Sequence, residues 1–275
     1  MGRPRSSVPI FQVDAFANEP FRGNPAAVCL LEEPARVEWM QAFAAEMNLS
    51  ETAYVVPRGD EFDLRWFTPA VEVQLCGHAT LASAHVLFER ERVAPGTPIA
   101  FHTRSGVLTA EGAPGRIELD FPAYQPTPGE APPGLAEALG ARPRAFSVVS
   151  EQRYSVAELD DAAAVRELRP DFAALRSCID TIAVTAISDD DGSDFVSRYF
   201  APGAGIDEDP VTGSAHCVLA PYWAARLGRG DLTGYQASSR GGFVSTRLVR
   251  SAGGEDRVML AGDAVTVWRG TATVS

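Results

Sequence analysis

The chain has 275 residues, of which 45% are hydrophobic and 22% charged. That composition is typical of a globular protein rather than a disordered one, and the length fits two lobes at roughly 150 residues per domain. Acidic residues outnumber basic ones by 36 to 24, which gives a formal net charge of -12. A field of this sign repels DNA and RNA, so we expect no nucleic-acid partner.

The N-terminal segment and the cysteines predict a reduced, cytoplasmic protein. The first residues lack an apolar stretch as long as a signal peptide needs, and no run of about 18 apolar residues predicts a membrane span. The cysteines Cys29, Cys76, Cys178 and Cys217 are dispersed without CxxC spacing. We therefore expect neither disulfides nor a membrane partner.

Apolar periodicity predicts the following elements in chain order. They are strands 10–16 and 26–31, helix 37–47, strands 53–56 and 62–67, helix 78–91, strand 116–121, helix 135–139, strands 146–149, 181–187 and 195–200, helix 214–227, and strands 242–249 and 264–268.

Two of these helices follow a strand and begin next to a glycine, Gly77 in one case and Gly213 in the other. The first helix carries side chains small enough to lie inside a wrapped sheet, namely Ala79, Ala82, Ser83 and Ala84. We therefore predict an α+β fold with two pseudo-symmetric lobes. Each lobe would be a curved, mostly antiparallel sheet or barrel around one central helix.

The two halves of the chain contain matching segments, which we interpret as an internal duplication. One segment, RWFTPAVEVQLCGHATLASAHVLF, starts at Arg65, and the other, RYFAPGAGIDEDPVTGSAHCVLAPYW, starts at Arg198. The second copy has a three-residue insertion. The identical pairs are Arg65 and Arg198, Phe67 and Phe200, Pro69 and Pro202, Gly77 and Gly213, Ala79 and Ala215, and Ala84 and Ala220.

A stretch rich in proline and glycine at 121–134, FPAYQPTPGEAPPG, interrupts the pattern of helices and strands. We interpret it as a linker between the lobes, because proline and glycine disfavour both helix and central strand. The predicted N-terminal lobe is 1–122, completed by 264–275, and the predicted C-terminal lobe is 123–263.

The two glycine-led helix starts are candidate anion sites. The first N–H groups of a helix have no partner within the helix, and the helix dipole adds partial positive charge there. Two such ends facing each other across a cleft would hold a carboxylate or stabilise a developing enolate. The alternative is that Thr212 and Ser214 only cap a helix.

Glu51, Asp209 and His78 are the candidate acid/base groups. Glu51 lies where a helical stretch ends and an apolar strand begins, a place where a carboxylate can be partly desolvated. Asp209 precedes the second helix start, where it could accept a substrate ammonium or hydroxyl group. Each carboxylate could equally be an ordinary solvated group. His78 could shuttle a proton, and no His or Cys spacing typical of a metal site is present.

Cys76 precedes the first helix start, where a thiol could have a depressed pKa and act as a base. Racemisation with two bases requires a second such thiol at the matching point of the other half. Thr212 occupies that point, and its hydroxyl is too weak an acid to serve unaided. A symmetric two-thiol mechanism is therefore disfavoured.

Four motifs in this order, GNP, NLSET, CGHAT and DPVTGSAH, resemble the PhzF-like family, which is named for an isomerase of phenazine biosynthesis and has the diaminopimelate epimerase-like fold. The similar pieces are 13–31, 48–55, 67–85 and 208–216, and RGG at 240–242 also fits. The resemblance implies a homodimer whose lobes hold the substrate in a cleft. It places the family's acid/base glutamate at Glu51.

The resemblance also implies roles for residues around both helix starts. The family's active-site histidine, aspartate and serine correspond to His78, Asp209 and Ser214. Gly77 and Gly213 match positions whose backbone amides face the ligand, and we expect the preceding residues, Cys76 and Thr212, to lie beside the ligand as well. In the family's characterised isomerase, the glutamate moves a proton between two carbons of a dihydro-hydroxyanthranilate.

The sequence therefore predicts an isomerase without metal or organic cofactor, which moves a proton on a small carboxylate-bearing substrate. Two alternatives remain open. One is an amino-acid epimerase or racemase that uses Cys76. The other is a non-catalytic homologue that binds a small molecule.

Overall fold

A computed structural model describes residues 6–149 and 154–274. The chain divides into two compact units. Unit 1 consists of residues 1–120 and 261–275, and unit 2 consists of residues 121–260. Within the described residues, no helix has the length and apolar character needed to cross a bilayer.

Unit 1 is built from nine strands and two helices among the described residues. The strands are β1 (Ser6–Ala15), β2 (Asn24–Leu30), β3 (Glu51–Arg58), β4 (Glu61–Phe67), β5 (Glu72–Val73), β6 (Ile99–Thr103), β7 (Gly106–Ala113), β8 (Arg116–Pro122) and the long last strand β17 (Arg257–Val274), whose first residues belong to unit 2. The helices are α1 (Val37–Met47) and α2 (Gly77–Glu89).

Eight of these strands close into a barrel. Their order is β17, β1, β2, β3, β4, β6, β7 and β8, and β8 pairs in turn with β17. The pairs β2–β3 and β4–β6 are parallel, and the other pairs with a defined register are antiparallel. Closure leaves no free edge among the eight strands.

Helix α2 lies in the core of this barrel. All of its residues from Gly77 to Phe88 are buried, and it contacts β1, β2, β3 and β7. Most of its side chains are apolar, and the hydroxyls of Thr80 and Ser83 donate to backbone carbonyls four residues earlier in the chain. The small side chains Ala79, Ala82 and Ala84, none of which is exposed to solvent, let the strands approach the helix closely.

Unit 2 contains eight strands and four helices among the described residues. The strands are β9 (Thr127–Pro128), β10 (Ala145–Val149), β11 (Tyr154–Glu158), β12 (Ile182–Ile187), β13 (Phe195–Ala201), β14 (Ile206–Asp209), β15 (Asp231–Gln236) and β16 (Gly242–Val249). The helices are α3 (Leu135–Leu139), α4 (Ala162–Glu167), α5 (Phe172–Cys178) and α6 (Gly213–Leu227).

Unit 2 repeats the plan of unit 1. From β10 through β11, β12, β13, β15 and β16, successive pairs are antiparallel, parallel, antiparallel, parallel and antiparallel. The same alternation runs from β1 through β2, β3, β4, β6 and β7. Helix α6 corresponds to α2 and contacts β11, β15 and β16.

One ion pair occurs in both copies. Arg65 donates to both carboxylate oxygens of Glu72 at 2.7 and 2.8 Å, and Arg198 donates to those of Glu208 at the same two distances. Each guanidinium also lies over the phenylalanine two residues along the chain, at 5.2 Å in unit 1 and 5.0 Å in unit 2. The longer spacing from Arg198 to Glu208 contains the three inserted residues, so these contacts support the predicted duplication.

The predicted α+β fold with a central helix in each half is confirmed. The interpretation of 121–134 as a linker is wrong. Tyr124 donates its N–H to the carbonyl of Cys217, and β9 pairs with β10. The stretch is therefore part of unit 2, because its irregular backbone finds hydrogen-bond partners there.

Candidate active site

Glu51 is the first residue of β3. Helix α1 ends at Met47, and its C-cap, Asn48, adopts a left-handed backbone conformation with φ of 50° and donates its N–H to the carbonyl of Ala44. This turn directs the chain into β3, where Glu51 pairs in register with Ala26 of β2. The side chain is only 13% exposed. A carboxylate this deeply buried needs a charged or hydrogen-bonding neighbour.

That neighbour is His78 in the first turn of α2. Its Nε2 lies 3.1 Å from Oε2 of Glu51, and its side chain is 7% exposed. The contact has the distance of an ion pair but not the geometry of a hydrogen bond. Within the described residues, neither atom has any hydrogen-bond partner. Among the described residues, their contact is thus the ion pair that they form with each other.

The opposite edge of the His78 ring faces Cys76 and Asn24. The sulfur of Cys76 lies 3.5 Å from Nδ1, and the side-chain amide nitrogen of Asn24 lies 3.3 Å from it. The hydroxyl of Ser50 donates to Oδ1 of Asn24 at 3.4 Å. Sequence reasoning assigned no role to Asn24 or Ser50, although GNP and NLSET contain them.

The charges in this group shift one another's pKa values. Burial favours neutral His78, but the Cys76 sulfur and the Glu51 carboxylate raise its pKa well above the ordinary value. Burial, and after it the charge of Glu51, raises the pKa of Cys76 to about 11. The prediction of a depressed Cys76 pKa is therefore wrong, because loss of water and a nearby anion outweigh the partial charge of the helix start.

Glu51, Cys76 and His78 are also donor types that zinc accepts, and their ligating atoms lie within 4.8 Å of one another. However, the carboxylate approaches Nε2 while the sulfur approaches Nδ1. A single ion cannot bind both nitrogens of one imidazole, so these two contacts do not describe a set of ligands around one metal. The absence of a metal cofactor stays a prediction.

In unit 2, Asp209 and Thr212 form a network of their own at the start of α6. The hydroxyl of Thr212 donates to Oδ2 of Asp209. Gln236 accepts the N–H of Thr212 at 2.9 Å and donates to the backbone carbonyl of Asp209 at 2.7 Å. Thr212 makes no capping hydrogen bond with its side chain, so the capping interpretation is wrong for this residue.

Ser214 lies in the first turn of α6, next to two tyrosines that sequence reasoning missed. Burial raises the pKa of Tyr154 to about 12, although a hydrogen bond with Ser214 opposes the shift. The ring of Tyr199 lies 6.2 Å from that of Tyr154. Because Tyr154 and Tyr199 lie on different strands and read as ordinary core aromatics, no sequence signal marked them.

The strand registers show which residues are equivalent in the two units. Thr52 pairs with Phe67, and Ile182 pairs with Phe200. Phe67 and Phe200 are matched residues of the duplication, so their strand partners are equivalent as well. The residues directly before those partners, Glu51 and Thr181, are therefore also equivalent. In the same alignment Cys76 is equivalent to Thr212, and His78 to Ser214.

The structure thus places Glu51, Cys76, Gly77 and His78 together in unit 1. It places Asp209, Thr212, Gly213 and Ser214 together in unit 2. The expectation that the two groups share one ligand stays a prediction.

Comparisons with known proteins agree with this architecture. Residues 13–270 match the family model described as phenazine biosynthesis-like protein. An uncharacterized isomerase of Halalkalibacterium halodurans is 48% identical over 267 residues, which cover 96% of this chain and 97% of the relative. A crystal structure of a PhzF-family protein from Enterococcus faecalis has a TM-score of 0.90 at 42% identity, and the match covers 97% of this chain and 99% of that one.

A more distant structure shares the fold alone. It is a probable proline racemase from Agrobacterium radiobacter, with 12% identity and a TM-score of 0.66, and the match covers 98% of this chain and 93% of that one.

Proposed function

Since this chain belongs to the PhzC-PhzF family of phenazine biosynthesis-like proteins and is an isomerase or epimerase, we propose that it moves a proton between two carbons of a small carboxylate-bearing substrate, with Glu51 as the acid/base group. The proposal includes catalysis without metal or organic cofactor. The homodimer that the resemblance implies and the cytoplasmic location predicted from the N-terminal segment and the cysteines also stay proposals.

One observation carries this function. A nearly buried carboxylate, Glu51, faces a nearly buried imidazole, His78, at 3.1 Å, and neither facing atom is tied up by a hydrogen bond within the described residues. Groups that serve only the fold are usually satisfied by protein partners when buried. A facing pair without such partners is suited to exchange protons with a bound molecule.

The chemistry follows from the charges. Glu51 takes a proton from a substrate carbon next to an unsaturated or carboxylate-bearing centre and redelivers it to another carbon. The developing negative charge would lie near protonated His78 and the first turn of α2, which begins at Gly77 without a side-chain cap and whose first N–H groups have no partner within the helix. A positioned acid/base group typically contributes about 10²–10⁴-fold in rate, and a donor aimed at developing charge about 10²–10³-fold.

The comparison of the two units supports isomerisation rather than racemisation by bases at equivalent positions of the two units. Inversion at one carbon needs a base on each face of the substrate. The unit 2 positions equivalent to Glu51, Cys76 and His78 hold Thr181, Thr212 and Ser214, and hydroxyl groups are too weak as acids to replace them. Proton transfer from one side of the substrate, by groups of unit 1 alone, is compatible with moving a double bond.

The polar groups of unit 2 then have a binding role in this proposal. Asp209 supplies a carboxylate that can accept a substrate ammonium or hydroxyl group. Ser214, the N–H groups that follow Gly213, and Thr212 can contact further polar atoms of the substrate. Helix starts attract anions, so the substrate group that either helix start is best suited to bind is the carboxylate.

Solvent exchange in D₂O tests this function. The protein is incubated in D₂O with vinylacetate, a minimal unsaturated acid, and in parallel with the dihydro-hydroxyanthranilate. We expect deuterium in the product, read by mass shift and by the position of the label in NMR. The matched variants are Glu51→Gln and Glu46→Gln, the second on the exposed face of α1. Glu51→Gln should lose turnover at least 10²-fold while Glu46→Gln keeps it.

Three outcomes separate the possibilities. Full activity of Glu51→Gln would refute the assignment of the acid/base group. Deuterium incorporation into L-proline or L-alanine that depends on Cys76 but not on Glu51 would indicate an epimerase. Stabilisation by either acid, without any exchange, would indicate a binding protein.

A further inference from the structure

A cavity of about 380 Å³ lies against the outside of the barrel of unit 1. Side chains alternate between the two faces of a strand. On β3, Glu51 reaches His78 of the helix inside the barrel, so Tyr54, three residues further along, lies on the outer face. Because Tyr54 lines the cavity, the cavity is separate from the pair formed by Glu51 and His78.

Three neighbouring strands of the barrel contribute to one side of the cavity. Tyr54 of β3 pairs in register with Arg65 of β4, Val56 with Asp63, and Asp63 in turn with His102 of β6. Paired residues of neighbouring strands lie on the same face of a sheet, so these apolar and polar side chains share the outer face. The beginning of α1 and the segment before it form the other side.

The floor of the cavity is apolar. Met40 and Tyr54 are almost fully buried beneath it, and Ala35 and Val56 line it as well. The hydroxyl of Tyr54 donates to the carbonyl of Met40 at 2.6 Å, so the apolar ring is the part of Tyr54 that can contact an occupant. A methionine side chain adapts its shape to such a contact.

The rim of the cavity carries more positive than negative charge. Arg58 pairs with Asp63 at 2.9 Å. Arg65 and Arg104 both pair with the single carboxylate of Glu72, at 2.7 and 2.8 Å. Three guanidinium groups therefore meet two carboxylates, which leaves one positive charge in excess.

This excess can be reached by a ligand. The side chains of Arg58 and Arg104 are more than half exposed, and a guanidinium has five N–H donors, more than one ion pair requires. Glu61 and His102 contact each other at the same rim, so they add no net charge when the imidazole is protonated. A local positive excess attracts anions even though the whole chain has a net charge of -12.

We propose that this cavity is a second small-molecule site, which binds a monocarboxylic acid with a flat apolar body. The guanidinium groups of Arg58 and Arg104 hold the carboxylate, because their planar forks match its two oxygens. The apolar body lies over Met40 and Tyr54. One negative charge balances the excess at the rim, and the volume is near the lower end of the roughly 300–1,000 Å³ of small-molecule sites.

The site does not depend on the proposed reaction, since none of its residues belongs to the candidate acid/base group. Ordinary surface ion pairs account less well for the arrangement. Exposed pairs contribute little to stability, and they need no apolar cavity behind them. Here the paired arginines surround such a cavity, which is the combination of an apolar wall and a few polar groups that small-molecule sites have.

Methionine methyl NMR tests the site directly, because one of the four methionines, Met40, lines the cavity. The protein is labelled with ¹³C-methyl methionine, and Met40→Leu assigns the signal. Benzoate should shift the Met40 signal saturably, with a Kd below about 1 mM. Benzamide, which lacks the charge, and acetate, which lacks the apolar body, should each bind at least about 10-fold more weakly.

Two variants separate this site from binding elsewhere. Arg58→Gln combined with Arg104→Gln should raise the Kd for benzoate about 10-fold or more. The matched control is Arg250→Gln, since Arg250 pairs with Asp256 at the same 2.9 Å on the surface of unit 2, and it should leave the Kd unchanged. Ala35→Phe fills the cavity while it keeps the arginines, and it should abolish the response of Met40 to benzoate. Circular dichroism confirms that each variant is folded.

Three results would overturn the proposal. A Met40 signal that does not respond to benzoate shows that the cavity does not bind the acid. An equal response to benzamide shows that the arginines do not recognise the charge. A Kd for benzoate that neither the double arginine variant nor Ala35→Phe changes shows that the acid binds elsewhere on the protein.

Discussion

The ion pair between Arg198 and Glu208 provides a sharp prediction about stability. Arg198 donates through Nε and Nη2 to the two carboxylate oxygens and through Nη1 to the carbonyl of Leu168 at 2.8 Å. The side chains are only 10% and 20% exposed. Glu208→Gln removes the negative charge without a change of size, and it leaves a guanidinium that water reaches poorly.

The magnitude follows from burial, and the duplicated pair in unit 1 is the control. Breaking one partner of a buried ion pair costs about 3–5 kcal/mol. Glutamine can still accept one hydrogen bond, so we expect a loss of about 3 kcal/mol for Glu208→Gln. In unit 1, Glu72 pairs with Arg65 and also with Arg104, whose side chains are 33% and 59% exposed. Water can therefore solvate both guanidinium groups in Glu72→Gln, for which we expect about 1 kcal/mol.

Urea unfolding followed by circular dichroism measures both variants against the unmodified protein. A third variant, Arg198→Met with Glu208→Leu, removes both charges and should recover part of the stability lost in Glu208→Gln, because no unpaired ion remains. If Glu72→Gln proves at least as destabilising as Glu208→Gln, burial does not control the strength of these pairs and the reasoning fails.

Two further predictions concern His216 and Gly262. Burial lowers the pKa of His216 to about 4, whereas an unfolded histidine titrates near 6.5. The protein is therefore most stable with respect to His216 above about pH 6.5, where the histidine is neutral in both states. As the pH falls toward 4, the free energy of unfolding decreases, by about 2 kcal/mol between pH 7 and pH 5. His216→Gln should remove this part of the acid sensitivity, which urea unfolding at pH 7 and pH 5 measures. If the difference in unfolding free energy between the two pH values is the same in His216→Gln as in the unmodified protein, the prediction is wrong. A Cβ at Gly262 would lie 2.4 Å from Cδ1 of Phe16, so Gly262→Ala should cost about 1–3 kcal/mol by overpacking and Phe16→Leu should partly restore it. No change in the melting temperature of Gly262→Ala would show that the ring can move aside.

The parts of the fold that could be predicted are those with a strong local pattern. Helix α1 was predicted with its observed bounds. Helices α2 and α6 were predicted to within about two residues, because each begins at a glycine that is followed by small residues. Strand β15, DLTGYQ, was missed since Asp and Gly disfavour strands. It forms because β13 and β16 pair with it on either side.

The two short helices α4 and α5 were missed although a signal was present. Asp161 accepts the N–H of Ala164, and Asp171 accepts that of Ala174, which is the usual bond of an aspartate at the N-cap. Both helices are shorter than the periodicity can detect reliably, so only the caps could have indicated them.

The site could be predicted as residue types but not as contacts. The motifs marked Glu51, Cys76 and His78 individually, yet their proximity depends on the order of strands in a closed barrel. Asn24 lies even farther along the chain from His78. A contact over that separation is set by tertiary packing, which a single sequence does not encode in any local pattern. The high pKa of Cys76 was missed for the same reason, because burial is a property of the folded barrel.

A difference in hydrogen bonding separates the two helix starts. In unit 2 the Thr212 hydroxyl is bonded to Asp209, and the Thr212 N–H to Gln236. Such bonds fix the positions of groups that recognise a ligand, and they resist a change of protonation. At the equivalent place in unit 1, Oε2 of Glu51 and Nε2 of His78 have no hydrogen-bond partner within the described residues. These two atoms face each other as an ion pair at 3.1 Å, and the charge of such a pair changes when either group takes up or releases a proton. We therefore propose unit 1 as the place of proton transfer on the basis of this ion pair, since buried atoms without a hydrogen-bond partner also occur in unit 2, at Nε2 of His216 and Oγ of Ser197.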